Sequence, residues 1–147
     1  MNEKLRKALD FAIAKEREAE AFYKEWAAKV DNPAVEALFA ELAGIEHGHM
    51  EMLSRITPDE IFAKNAGPQP DLKLSEFLVE ADAGEDLTIQ EAMILAMKRE
   101  ERAAALYERF AALDGEAASL FAALAREERK HKSRLEGDYD EHILTEN

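Results

Sequence analysis

Apolar side chains recur along this chain at steps of three and four residues, through four long segments. The first segment, from about Glu3 to Lys29, puts Leu5, Leu9, Ala12, Glu16, Ala19, Tyr23, Trp26 and Val30 on one face. The second runs from Pro33 to about Arg55, with Val35, Leu38, Leu42, Glu46, His49, Leu53 and Ile56 facing inward. Between them, Asp31 or Asn32 caps and Pro33 suits a first helical turn. So short a connection predicts antiparallel neighbours. The third segment opens on a capping box, Thr88 with Glu91, and reaches about Leu113. Its stripe is Ile89, Met93, Ala96, Glu100, Ala103, Tyr107 and Phe110. After "LDGEA", a fourth helix is predicted from about Glu116 to Leu135, with Phe121, Leu124, Glu128, His131 and Leu135 inward.

The stretch from Thr57 to Leu87 breaks the period with "TPDE", "NAGPQPD" and "ADAGED", all turn signals. A short helical piece, "LSEFLVEA", is expected inside it. A bundle of helices about 30 Å long needs a connection able to run from end to end, and this one is long enough. The tail from about residue 137, "GDYDEHILTEN", reads as polar, acidic and loosely held.

The two halves repeat each other. "EREAEAFY" (Glu16 to Tyr23) matches "EERAAALY" (Glu100 to Tyr107), each with Glu, Ala at plus three and Tyr at plus seven. "FAELAGIEHGHMEML" (Phe39 to Leu53) matches "FAALAREERKHKSRL" (Phe121 to Leu135) at Phe, Leu, Ala, Glu, His and Leu. Each half is therefore a helical hairpin with a lone glutamate on its first helix and Glu-x-x-His on its second. Two such hairpins joined by a long crossover predict an all-α four-helix bundle of ferritin-like connectivity, one domain over residues 1–147.

Composition narrows the chemistry. The formal net charge is -13 at pH 7, which disfavours nucleic acid and anionic membranes as partners and favours cations. There is no cysteine, which rules out disulfides, thiolate metal sites and a cysteine nucleophile. No apolar run approaches the ~18 residues of a membrane span, and no signal peptide is evident at the N-terminus, so the expected location is the cytoplasm.

Four inward glutamates are the informative anomaly. Glu16, Glu46, Glu100 and Glu128 sit near the middles of the helices. Unpaired carboxylates in a core are costly, and like charges at one level repel. Two metal ions remove both problems. His49 and His131 follow Glu46 and Glu128 by one turn on the same face. Oxygen and imidazole donors without thiolate suit iron or manganese, with zinc compatible. Tyr23 and Tyr107 read as packing residues whose hydroxyls bond a ligand. Glu20, one turn past Glu16, is a weaker candidate for a ligand or an entry-path carboxylate. His47 and His142 fall off the pattern.

These four motifs, with their flanking helices over about residues 3–136, resemble the rubrerythrin-related di-iron proteins of the ferritin-like superfamily. The resemblance implies two irons, with Glu46 and Glu128 as bridging carboxylates. Glu16 and Glu100 would be single ligands, and His49 and His131 terminal imidazoles. It implies reaction with hydrogen peroxide or oxygen, with oxidation of ferrous iron in some members. Two departures stand out. This chain lacks the cysteines of the rubredoxin domain that full-length rubrerythrins carry, so turnover would need an external electron donor. Ala103 also stands where typical rubrerythrins have a further glutamate. Iron sequestration without sustained turnover is the first alternative. A metal-free scaffold, its inward glutamates paired with Lys or Arg, is the second. Long amphipathic helices also suggest a homodimer.

Overall fold

The computed structural model describes residues 3–62, 71–77 and 87–144. Four helices form where the period predicts them: α1 (Glu3–Lys29), α2 (Pro33–Ser54), α3 (Ile89–Ala111) and α4 (Ala118–Asp138). The interior of α1 holds neither Gly nor Pro, and Ala, Leu, Lys and Glu fill its turns. The chain then breaks at Asn32, whose side-chain oxygen accepts from the N–H of Ala34 at 2.9 Å and of Val35 at 3.3 Å. This cap, with Pro33 in the first turn, starts α2. The capping box at the start of α3 forms as expected: Glu91 N–H donates to Thr88 Oγ1 at 3.1 Å, and Thr88 N–H to Glu91 Oε1 at 3.0 Å. A second capping box, Thr57 with Glu60, winds a short 3-10 turn over Pro58–Glu60.

α1 packs on α2 and α3 on α4 as two antiparallel hairpins. The buried apolar residues fall into two clusters. One joins Leu5 and Leu9 of α1, Leu53 of α2, Phe110 of α3 and Phe121 of α4. The other joins Trp26, Phe39, Leu42, Met93 and Leu135 at the opposite ends of the same helices. Rings of Phe110 and Phe121 lie 4.9 Å apart, and each fully buried side chain of this size contributes about 1.5–3 kcal/mol. The level between the clusters is where the four helices carry polar side chains.

In the crossover, Leu74–Phe77 forms a 3-10 turn, the described part of the helical piece expected from "LSEFLVEA"; the rest of that piece falls within residues 78–86, outside the described residues. Phe77 is buried, and Arg109 of α3 sits over its ring at 4.4 Å. Arg109 also donates to Leu72 O at 2.8 Å, and Arg102 to Glu76 O at 3.1 Å. These bonds pin the crossover to α3 beside the middle of the bundle.

The tail departs from its expectation. α4 continues to Asp138, a π-helical turn follows over Tyr139–Leu144, and Ile143 is buried against the second cluster. "YDEHIL" offers Tyr139 and Ile143, one turn apart, at the spacing that returns to the core, and burial there outweighs the local polarity. No helix among the described residues is long and apolar enough to cross a membrane.

The α3–α4 turn is set by close approach. Asp114 adopts φ 57°, and the N–H of Ala117 donates to Glu60 O at 2.9 Å. A Cβ on Gly115 would stand 2.3 Å from that same Glu60 oxygen and 2.4 Å from Ile61 C. Gly115→Ala forces backbone apart here and should cost about 1–3 kcal/mol, read as a lowered midpoint in urea with an unchanged slope.

Candidate metal centre

The helical registers bring six side chains from four helices to one level. Glu16, Glu46, His49, Glu100, Glu128 and His131 are each at most 4 % exposed. They form two sets whose donor atoms lie within 4.8 Å of one another: Glu16, Glu46, His49 and Glu128, and Glu46, Glu100, Glu128 and His131. Glu46 and Glu128 belong to both. His49 Nδ1 lies 3.1 Å from Glu128 Oε1 and 3.7 Å from both Glu16 Oε1 and Glu46 Oε1. His131 Nδ1 lies 3.1 Å from Glu46 Oε1, 3.3 Å from Glu128 Oε1 and 3.5 Å from Glu100 Oε2. The two imidazoles are near-parallel, 12° between planes and 6.0 Å between centroids.

Protein atoms alone leave this cluster unsatisfied. Glu16 Oε2, Glu46 Oε1, Glu100 Oε2, Glu128 Oε1, both ring nitrogens of His49 and His131 Nδ1 are buried without a hydrogen-bond partner. A native core rarely tolerates so many. Among the described residues, the ion-pair partners of these four glutamates are His49 and His131, with no Lys or Arg among them. Cations between the carboxylates and the Nδ1 atoms would satisfy the orphaned atoms together, and the oxygen-plus-imidazole set fits iron.

Electrostatics agrees. Burial, reinforced by the charges of Glu100 and Glu16, pushes the Glu46 and Glu128 carboxyls well above their ordinary range. Burial pulls the His131 imidazole down, but the facing Glu100 and Glu46 carboxylates outweigh it and raise it to about 9. His49 is likewise raised, Glu16 overcoming the effect of burial. The metal-free cluster therefore holds protons that metal must displace.

The tyrosines cross between the halves. Tyr23 of α1 donates to Glu100 Oε1 of α3 at 2.7 Å, and Tyr107 of α3 donates to Glu16 Oε1 of α1. Burial first, then the neighbouring glutamates, raises both phenols well above their ordinary range, so both remain donors. Each bond holds Oε1 of its glutamate and leaves Oε2 buried without a hydrogen-bond partner.

Glu20 is not part of the cluster. It bonds Lys24 Nζ at 2.7 Å and His47 Nδ1 at 2.9 Å on the surface of α1 and α2. The ~40° rotation accumulated over four residues carries it off the inward face to where Lys24 and His47 lie. Glu127, which the sequence did not single out, does approach the site: its Oε2 lies 3.4 Å from His49 Nε2. At the matching position of α2 stands Ile45, so the repeat offers His131 no such carboxylate. The Glu127–Glu128 doublet was visible; which imidazole it would meet depends on how α4 sits against α2. Glu127→Leu should weaken binding in the His49 set about 10–100-fold and spare the His131 set, as a split between two previously similar steps in a metal competition titration.

Beside the cluster, a cavity of about 280 Å³ lined largely by α1 and α3 reaches Glu16, Glu46, Glu100 and Glu128. Ala19 and Ala103 face it, so the additional carboxylate typical at position 103 is replaced by space.

Comparison with known proteins adds the lineage. No curated protein matches the chain. Among solved structures, a candidate ferritin-like diiron-carboxylate protein from Thermotoga maritima is similar, with 28% identity and a TM-score of 0.68 over 94% of this chain and 95% of that one. The family model described as Rubrerythrin matches residues 7–139. With nearly the whole bundle inside that match, the chain belongs to the rubrerythrin family.

Proposed function

We infer that the protein is a non-haem di-iron oxidoreductase that reacts with hydrogen peroxide or oxygen and oxidises ferrous iron. The observation that carries this reading is the pair of overlapping Glu/His sets, buried and unsatisfied by protein partners. Glu46 and Glu128, shared by the two sets, would help hold both ions, with Glu16 and His49 completing one set and Glu100 and His131 the other. Two ferrous ions, when bound, would supply one electron each and the Lewis acidity that offsets negative charge on oxygen.

The remaining work falls to the chain. Apolar clusters at both ends of the bundle keep bulk water from the site. A proton on His49 Nε2, facing Glu127, leaves the Nδ1 lone pair toward the carboxylates. Tyr107 and Tyr23 hold Glu16 and Glu100 by one oxygen each, so either carboxylate can swing its second oxygen without leaving the site. The cavity between α1 and α3 gives the oxidant its route.

The chain has no cysteine to relay electrons, which favours, as a second reading, iron oxidation and retention without sustained turnover. An external donor would distinguish the two. Stopped-flow mixing of anaerobically iron-loaded protein with hydrogen peroxide or oxygen should show oxidation at least ten times faster than free ferrous iron. Rates equal to free iron under both oxidants would refute the proposal. Many turnovers with a chemical reductant favour the enzyme, and a single turnover favours retention.

A further inference from the structure

The acidic charge of this protein is interrupted on one face. Nine residues of α4, Arg126 to Arg134, hold five bases, in a chain of 19 bases and 32 acids. Of the two acids among them, Glu128 is buried in the cluster and half-buried Glu127 reaches His49. The exposed positions of the stretch are Arg126, Arg129, Lys130, Ser133 and Arg134. Arg129 pairs with Glu101 and Glu108 of α3, and Arg134 with Glu41 of α2. Half-buried Lys132 also reaches Glu101, at 3.2 Å. Arg126 and Lys130, one turn apart, form no ion pair among the described residues.

The matching stretch of α2 carries no such charge. Gly44 stands at the position of Arg126, and Gly48 at that of Lys130. A Cβ on either glycine would meet nothing within 4 Å. The contacts Glu41–Arg134 and His49–Glu127 run α2 antiparallel to α4, which lays both glycines beside the basic stretch. A partner seated on α4 therefore meets a low, uncharged flank there.

This face is also the back of a ligand-bearing helix. Glu128 and His131 point inward from among these bases. About one helix diameter, ~10–12 Å with side chains, separates the outer surface from the cluster. Elsewhere the net charge of -13 repels an acidic partner. Screening over ~8 Å at physiological salt lets the local bases set its orientation.

We propose that the outer face of α4, centred on Arg126 and Lys130, docks the acidic face of a small one-electron carrier protein. Its role as the electron entry rests on the di-iron reading above; the docking does not. Reducing one hydrogen peroxide to two waters takes two electrons and two protons. A carrier oxidised by one electron at each visit supplies the electrons in two visits, and solvent supplies the protons. Transient redox contacts are small, under about 1,200 Å², so the expected binding is weak and salt-sensitive.

The probe is an acidic ferredoxin. Its oxidised form is titrated at low ionic strength into zinc-loaded protein, where no electron can move. One-to-one binding is expected, fading as salt rises. Arg126→Gln with Lys130→Gln should weaken it at least fivefold, and Arg126→Glu with Lys130→Glu further. Lys4→Gln with Lys7→Gln removes the same two charges from the exposed start of α1 and should change it less than twofold. No binding, equal weakening by both glutamine pairs, or tighter binding of a single-stranded oligonucleotide or of anionic vesicles would each overturn the proposal. In ferric-loaded protein, reduced ferredoxin should pass its electron at least fivefold more slowly to the Arg126→Gln, Lys130→Gln variant, while the methyl viologen radical cation loses no rate. Electrons accepted from methyl viologen but none from bound ferredoxin would overturn the delivery. Iron reduced by neither would refute the oxidoreductase reading instead, and the zinc-loaded titration would still decide the docking.

Discussion

Glu46→Ala should cost the protein both metal ions, whereas Glu16→Ala should cost it one. Glu46 contributes to both sets and Glu16 to one. Loss of a carboxylate ligand should exceed the ~10–100-fold typical of an outer partner, so binding at both positions drops by more than about 100-fold in the first variant. Metal counting after gel filtration reads this as two ions per chain falling to none, against two falling to one. The isosteric Glu46→Gln adds a reversal of sign. In the metal-free protein it removes a buried carboxyl that three other glutamates oppose, so at pH 7 it should stabilise by about 1–3 kcal/mol. With metal present it should destabilise. If Glu46→Gln lowers stability in both states, the carboxyl is supported by the protein itself and the metal assignment fails.

Metal should also set the stability of the whole bundle, with a definite dependence on pH. Each ion at a free concentration about 1,000 times its dissociation constant adds ~4 kcal/mol. Two ions on a chain of this size raise Tm by on the order of 20 °C. Glu46 and Glu128 have folded pKa values raised above the ordinary 4.5, and His131 is raised from 6.5 to about 9. A raised group binds more protons folded than unfolded. The metal-free protein therefore loses stability as pH rises from about 4.5, with the His131 contribution lost between 6.5 and about 9. Metal binding gains over the same window, because fewer protons need displacing. The difference in Tm between iron-loaded and metal-free protein, measured anaerobically, should grow from pH 5 to pH 8. A difference that shrinks over that range would contradict the buried-cluster account.

The parts of this structure legible in the sequence are those governed by local period. Four helices and six cluster residues follow from spacing of three and four, and their order from where Gly and Pro interrupt it. The tyrosines were legible as neighbours of the ligands, but not the crossing by which each serves the opposite hairpin. That depends on how α1 and α3 face one another. Phe22, Leu95 and Leu106 are buried although they lie off the stripes, because a helix inside a bundle meets neighbours on more than one side. Glu20 bonds surface groups while Glu127 approaches His49 for the same reason: both lie at the edge of an inward face, and only the neighbouring helix decides which edge is interior. The tail misled because "EGDYDEHILTEN" is dominated by its charges, while one isoleucine reaches the core.

The phenol that steadies each hairpin's lone glutamate belongs to the other hairpin. Neither hairpin can therefore hold its own glutamate, and one expressed alone would lack that bond. A hairpin of either sequence paired with a twin would restore the missing bond from both directions. The crossed bonds thus make each half of the repeat dependent on the other.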